Sequence, residues 1–113
     1  LHEAAIVESA LELILAKAEE HRLNKIKRIT AKVGELSGAF PEAMQFVFQS
    51  ASQGTVAEGA DFIIEQVKAT ASCGSCGITF PIRYYHPVCP SCGGLENQVL
   101  TGYELYIDTM EGD

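Results

Sequence analysis

The sequence predicts an α+β fold: two helices packed on a small three-stranded sheet, with an inserted four-cysteine zinc-ribbon-like domain. Three observations predict it. Apolar residues recur at helical spacing over 3–22 and again after Pro41. Strand patterns occupy 26–34, 61–69 and 103–109. All four cysteines, four of the ten glycines and three of the four prolines fall in the segment 70–99, between the second and third strand patterns. The order helix-strand-helix-strand-insert-strand fits helices on a small sheet, and strand order is not legible at this level.

The first helix rests on Ile6, Val7, Ala10, Leu11, Leu13, Ile14 and Ala18, which fall largely at spacings of three, four and seven. Glu8, Glu12, Lys17, Glu19 and Glu20 fill much of the rest. His21 and Arg22 suit its negative end, and Asn24 can stop it. In 26–34, Ile29, Ala31 and Val33 alternate with Arg28, Thr30 and Lys32. Gly34, Ser37 and Gly38 break that strand. Pro41 is a good first helical residue, and Met44, Val47, Phe48 and Ala51 form the second apolar stripe, closed by Gly54. The second strand runs through Phe62, Ile63, Ile64 and Val67, and the last sets Tyr103, Leu105 and Ile107 against Glu104 and Asp108. These patterns divide the chain into an α/β domain of residues 1–69 plus 100–113 and an insert of residues 70–99.

Charge narrows the function classes. Eight Lys and Arg against fifteen Asp and Glu give −7 at pH 7. Broad phosphate binding needs clustered positive charge, and the one cluster, Arg22, Lys25, Lys27, Arg28 and Lys32, reads as a helix end and a solvated strand face with no aromatic residue to stack a base. No apolar run is long enough for a membrane helix, and residues 1–5 lack signal-peptide character, so the expectation is a cytoplasmic protein. No nucleophile–base pair and no glycine-rich phosphate loop is present, so no enzyme activity is expected.

The insert carries the strongest chemical signal. Cys73-Gly-Ser-Cys76 and Cys89-Pro-Ser-Cys92 each put two thiolates on one tight turn, the arrangement a tetrahedral ion takes. Gly74, Gly77, Pro90 and Gly93 supply turn geometry. Two disulfides are the first competing reading, and the cytoplasmic expectation disfavours them. A thioredoxin-like redox pair is the second, disfavoured by the presence of two pairs without a thioredoxin pattern around them. The expectation is structural zinc on Cys73, Cys76, Cys89 and Cys92, four-coordinate and with no catalytic water. With few large aliphatics in the insert, the ion substitutes for a hydrophobic core. His86, three residues before Cys89, reads as a loop histidine, and His21 as a helix-end residue.

His2 offers a second metal chemistry. A free α-amine, a histidine imidazole and adjacent backbone amide nitrogens can chelate one ion, and nitrogen-rich square-planar sites suit Ni(II) or Cu(II). Glu3 could orient the imidazole or tune the site. A histidine in second position is also what a frayed surface end looks like, and residue type and position leave both readings open.

Four blocks then carry a resemblance to a known family. They are His2-Glu3, Val33-Gly34-Glu35-Leu36-Ser37-Gly38 with Pro41-Glu42 and Phe46, Glu58-Gly59-Ala60, and the cysteine pairs with Gly77, Pro87-Val88, Pro90, Gly93 and the following Gly102-x-Glu104-Leu105. Nearly end to end, the chain resembles the hydrogenase nickel-incorporation proteins, the HypA/HybF family of nickel metallochaperones. The resemblance implies a nickel-binding α/β domain with an inserted structural-zinc domain. It implies Ni(II) as transported ion, held by the amine of residue 1, the His2 imidazole and the backbone amides of His2 and Glu3. It also implies delivery to the [NiFe]-hydrogenase large subunit with the GTPase HypB, and in some members service to urease. The family begins Met-His-Glu where this chain has Leu1-His2-Glu3. The side chain at position 1 is not an expected ligand, so an amine on Leu1 chelates as well. The alternative from another class is a zinc-ribbon nucleic-acid or protein interaction module, against which stands Arg83 as the lone strong positive charge of 70–99. A monomer and a weak homodimer share this composition.

Overall fold

The computed structural model describes residues 3–83 and 87–113. Its elements are α1 (Glu3–Glu20), β1 (Ile26–Gly34), α2 (Pro41–Ala51), β2 (Asp61–Val67), β3 (Thr70–Cys73), β4 (Thr79–Pro81), β5 (Asn97–Thr101) and β6 (Leu105–Gly112). They form two three-stranded sheets, ordered β2-β1-β6 and β4-β3-β5. The helices-on-sheet architecture with its four-cysteine module is the one the sequence predicts. The chain divides into two compact units: the described residues of Leu1–Lys32, Gly38–Glu65 and Tyr106–Asp113, and then Val33–Ser37 with Gln66–Leu105. No helix among the described residues is long and apolar enough to cross a membrane.

The first unit holds both helices. Val7, Leu11, Ile14 and Ala18 are the buried residues of α1, and their spacing of four, three and four places them on one face. That face meets α2 and the strands: α1 and α2 pack on each other, and Ile14 shares a cleft with Ile107 and Met110 of β6. Phe48 of α2 stacks on Phe62 of β2 with centroids 4.6 Å apart, and the Gln45 amide donates to the Phe62 carbonyl. Under them Ile26 and Ile29 of the central strand β1 are fully buried.

The end of α1 differs from expectation. The helix stops at Glu20, and Arg22, not a glycine or Asn24, takes the left-handed conformation at φ 57°. The Arg22 N–H donates to Glu19 O (3.0 Å) and the Leu23 N–H to Ala18 O (2.8 Å), which satisfies carbonyls the helix end would orphan. Two closing hydrogen bonds offset the roughly 1–2 kcal/mol that a side chain costs there. At the start of α2, Pro41 stands at the first position as predicted, and Phe40 is the N-cap without a capping side chain of its own. Its N–H is taken instead by Glu3 Oε2 at 3.0 Å.

Three members of the basic cluster face acids across the sheet. Lys27 pairs with Asp113 (3.0 Å), Arg28 with Glu111 (3.1 Å) and Lys32 with Glu65. The Glu65 carboxylate holds the Lys32 ammonium above its ordinary value. The last strand begins at Leu105, two residues later than the pattern suggested, and runs on to Gly112. Its end is fixed by pairing: Asp113 N–H donates to Lys25 O at 2.9 Å, and Asp113 O accepts from Asn24 N–H.

In the second unit β3 is central. It pairs antiparallel with β4 through Thr70–Pro81, Ala71–Phe80 and Ser72–Thr79, and with β5 through Ala71–Val99, Ser72–Gln98 and Cys73–Asn97. These short strands were not predicted. Ala71, Cys73, Phe80 and Cys89 form a buried cluster with Ile82 packed against it, so the segment has a small apolar centre built partly from its cysteines. Glu35 anchors the unit's other piece: its N–H donates to Val67 O (2.9 Å), and its Oε1 accepts from the Ala69 N–H (2.5 Å).

Candidate metal centre

The two Cys-x-x-Cys turns are built alike. The Gly77 N–H donates to Cys73 O (3.0 Å) and the Gly93 N–H to Cys89 O (2.9 Å). The Cys73 N–H then reaches Ile78 O, and the Cys89 N–H reaches Gly94 O, at 2.8 and 3.1 Å. Each turn reverses at its glycine, with φ 79° at Gly77 and 74° at Gly93, a region closed to most side chains. The tight turn aims backbone N–H groups at the first sulfur: Ser75 and Cys76 point to Cys73 Sγ at 3.4 Å, and Cys92 to Cys89 Sγ at 3.5 Å.

The turns bring all four sulfurs within 4.8 Å of one another, with Cys73–Cys92 at 3.6 Å and Cys76–Cys89 at 3.5 Å. Zinc–sulfur bonds of about 2.3 Å in a tetrahedron set sulfurs about 3.8 Å apart, so the four residues fit one tetrahedral ion. All four are free cysteines. Cys73 and Cys89 are buried while Cys76 and Cys92 are exposed, so one side of the centre is sealed by the apolar cluster. No other group of three or more His, Cys, Asp or Glu stands at ligand separation among the described residues.

The thiols divide into two kinds. The Cys76 N–H, then the Ser75 N–H, lower Cys73 from its ordinary 9.0 to about 6. The Cys92 N–H, opposed by desolvation, likewise lowers Cys89. At Cys92 the Gly94 N–H favours the thiolate, but hydrogen bonding to Cys73 and Cys89 and desolvation outweigh it and push the thiol up to about 12. Cys76 is raised in the same way: Ile78 lowers it, and Cys89, desolvation and Cys73 prevail. The fold therefore favours the thiolate at the first cysteine of each turn, and the second holds more tightly the proton a metal must displace.

Of the other sequence-predicted site residues, Glu3 opens α1 with its carboxylate on the Phe40 N–H. His21 lies just beyond α1, its N–H on Lys17 O. Leu1, His2 and His86 lie outside the described residues. The sequence reading missed Asn97, whose Nδ2 donates to Gly94 O (2.9 Å) and to Pro87 O on the second turn. Its signal in sequence is faint: one of two adjacent amides, Asn97 and Gln98, five residues past Cys92.

A two-helix α+β unit and a four-cysteine centre of tetrahedral dimensions define a small metal-handling protein class. Comparison with known proteins narrows the class. The family model described as hydrogenase/urease nickel incorporation, metallochaperone, hypA matches residues 1–112. The hydrogenase maturation factor HypA of Geobacter sulfurreducens is 38% identical over 111 residues, covering 98% of each chain. That of Dehalococcoides mccartyi is 38% identical over 113 residues, 100% of this chain and 95% of the relative. The solution structure of the Ni metallochaperone HypA from Helicobacter pylori superposes with a TM-score of 0.67 at 23% identity, over 99% of this chain and 97% of that one. The chain belongs to the HypA family.

Proposed function

We propose that this protein is a nickel metallochaperone. It takes Ni(II) through the His2 imidazole and the backbone amide of Glu3, joined by the Leu1 amine where Leu1 is the first residue of the chain, and delivers it for [NiFe]-hydrogenase maturation. The observation that carries the reading is the family match over residues 1–112, which includes the His2-Glu3 pair. The chemistry agrees: neutral and deprotonated nitrogens suit square-planar Ni(II), whereas the four soft sulfurs of the insert suit a tetrahedral ion. Zinc is assigned to Cys73, Cys76, Cys89 and Cys92 as a structural ion, since four thiolates leave no open position. Residues 1–69 plus 100–113 form the nickel-binding domain and 70–99 the zinc-binding domain. The partners are the HypB GTPase and the hydrogenase large subunit, with urease maturation a second destination, and the carrier acts in the cytoplasm as a monomer or weak homodimer. A terminal, partly backbone site suits a carrier, because docking of an acceptor can reposition residues 1–3 and release the ion.

A nucleic-acid module is the competing class. Against it, Lys27, Arg28 and Lys32, three of the five residues of the basic cluster, pair with Asp113, Glu111 and Glu65, which lowers the positive charge that surface offers to phosphates.

Calorimetric Ni(II) titration of zinc-loaded protein whose first residue is Leu1 tests the reading, beside His2→Ala. The expected result is about one nickel per chain at micromolar affinity or tighter for the parent, and loss of that site in the variant. Equal binding by both removes His2 as a ligand. No binding by either removes the nickel function.

A further inference from the structure

One side chain that is not itself a cysteine makes two hydrogen bonds to the second cysteine turn. Asn97 opens β5 and stands directly opposite Cys73 of β3. Beside this pair, the Gly74 N–H donates to Glu96 O at 2.9 Å, so the first cysteine turn is stitched to the start of β5. The Asn97 side chain reaches the other way. Its Nδ2 donates to Gly94 O at 2.9 Å and to Pro87 O, the carbonyls that flank the second cysteine turn on both sides. Gly94 O also accepts the Cys89 N–H at 3.1 Å, so the amide bonds the same carbonyl that closes that turn. The side chain is part-buried, and its Oδ1 has no hydrogen-bond partner. Two donors are used and the acceptor is idle, which says that donation is the task of this residue.

We propose that Asn97 is the positioning residue of the four-sulfur centre: its amide ties the second cysteine turn to β5, the strand paired with the one that ends in Cys73, and so sets how long the metal stays bound. This rests on reading the centre as a metal site. The physical reason is geometric. Each turn holds its own two sulfurs by local bonds, but nothing local fixes the distance between Cys73–Cys76 and Cys89–Cys92. Ion release begins when the two turns part. Among the described residues of this unit, the apolar cluster offers Phe80, Ile82 and Ala71 besides the cysteines to resist that parting. A side chain that holds the second turn on β5, where Cys73–Asn97 pairing and the Gly74–Glu96 bond hold the first, acts on that coordinate, as hydrogen-bonded partners behind metal ligands do elsewhere.

The test is the rate at which full-length, zinc-loaded protein surrenders zinc to an excess of a coloured chelator, with the cobalt-substituted spectrum as a second readout. Asn97→Asp keeps the shape and removes both donors, and Asn97→Ala removes them without adding charge. Gln98→Ala is the control, because Gln98 is exposed on the same strand and pairs with Ser72. Both Asn97 variants are expected to lose zinc about 10–100-fold faster. Their cobalt charge-transfer and d–d bands should also weaken or shift, while thermal unfolding of the helices stays at the parent's temperature. Gln98→Ala should match the parent in all three. Parent-like zinc loss and cobalt bands in Asn97→Ala overturn the proposal, whatever Asn97→Asp does, since the effect would then belong to the added charge. An Asn97→Ala variant whose helices also melt early assigns the residue a general folding role and overturns it too. A parent protein that takes up no zinc or cobalt removes the metal reading itself, an outcome distinct from both.

Discussion

Single residues show how the chain prepares a site before any ion arrives. The four cysteines have identical side chains, yet backbone N–H groups lower Cys73 and Cys89 while thiol–thiol hydrogen bonding and desolvation raise Cys76 and Cys92. The consequence is a proton count. Near pH 7.5, Cys73 at about 6 is already ionised, Cys92 at about 12 and the raised Cys76 are protonated, and Cys89 is lowered from its ordinary value. Uptake of a divalent ion by all four sulfurs should therefore release about two to three protons. The sign follows: affinity falls as pH falls, and falls more steeply once pH drops through about 6, where Cys73 too must lose a proton on binding. Calorimetry in buffers of different ionisation enthalpy reads the number directly, and a heat independent of buffer would contradict it. The Cys-x-x-Cys spacing made the ligands legible in the sequence. The unequal acidity was not, because it depends on which N–H groups the fold turns toward each sulfur.

Elements differ in how far their sequence announces them. The face of α1 was legible because four buried residues repeat at helical spacing and a long helix averages over single exceptions. Leu13 is such an exception: it belongs to the apolar stripe by sequence, yet it is 56% exposed, whereas its neighbour Ile14 is 3% exposed. Truncating each should separate the pair sharply. Ile14→Ala opens a cavity among α1 and the strands and should cost about 3 kcal/mol, while Leu13→Ala should stay within about 0.5 kcal/mol. Urea denaturation of the two variants checks this, and comparable losses would mean that α1 does not bury the face assigned to it. The strands β3, β4 and β5 escaped the sequence reading for a different reason. They are three to five residues long, too short for alternation to stand out, and their pairing is set by where the cysteine turns hold the chain. The end of β6 escaped because a partner far along the chain decides it, Lys25 pairing with Asp113, and the end of α1 because it closes through a non-glycine residue, Arg22, in the left-handed conformation.

At the scale of the whole molecule, the two units rely on different kinds of glue. The first buries Val7, Leu11, Ile14, Ala18, Ile26, Ile29, Met44, Phe48 and Phe62, a core large enough to hold two helices on a sheet. The second centres on Ala71, Phe80 and two of its own prospective ligands, Cys73 and Cys89. Few buried aliphatics and short strands leave little to offset chain entropy when the sulfurs are not bridged. Removing the metal should therefore split the molecule's stability. With a strong chelator under reducing conditions, amide protons of Ala71, Cys73 and Val99 should exchange rapidly, while those of Leu11, Ile14 and Ile29 keep their protection and the helical circular dichroism barely changes. Restoring one equivalent of zinc should bring back the lost protection, because binding free energy and folding free energy are the same quantity for such a segment. Residue-resolved hydrogen exchange distinguishes this from a uniform loss. Protection in residues 70–99 that survives chelation would show that Phe80 and its neighbours suffice alone. Protection lost from α1 and β1 at the same time would show that the helical core depends on the ion as well.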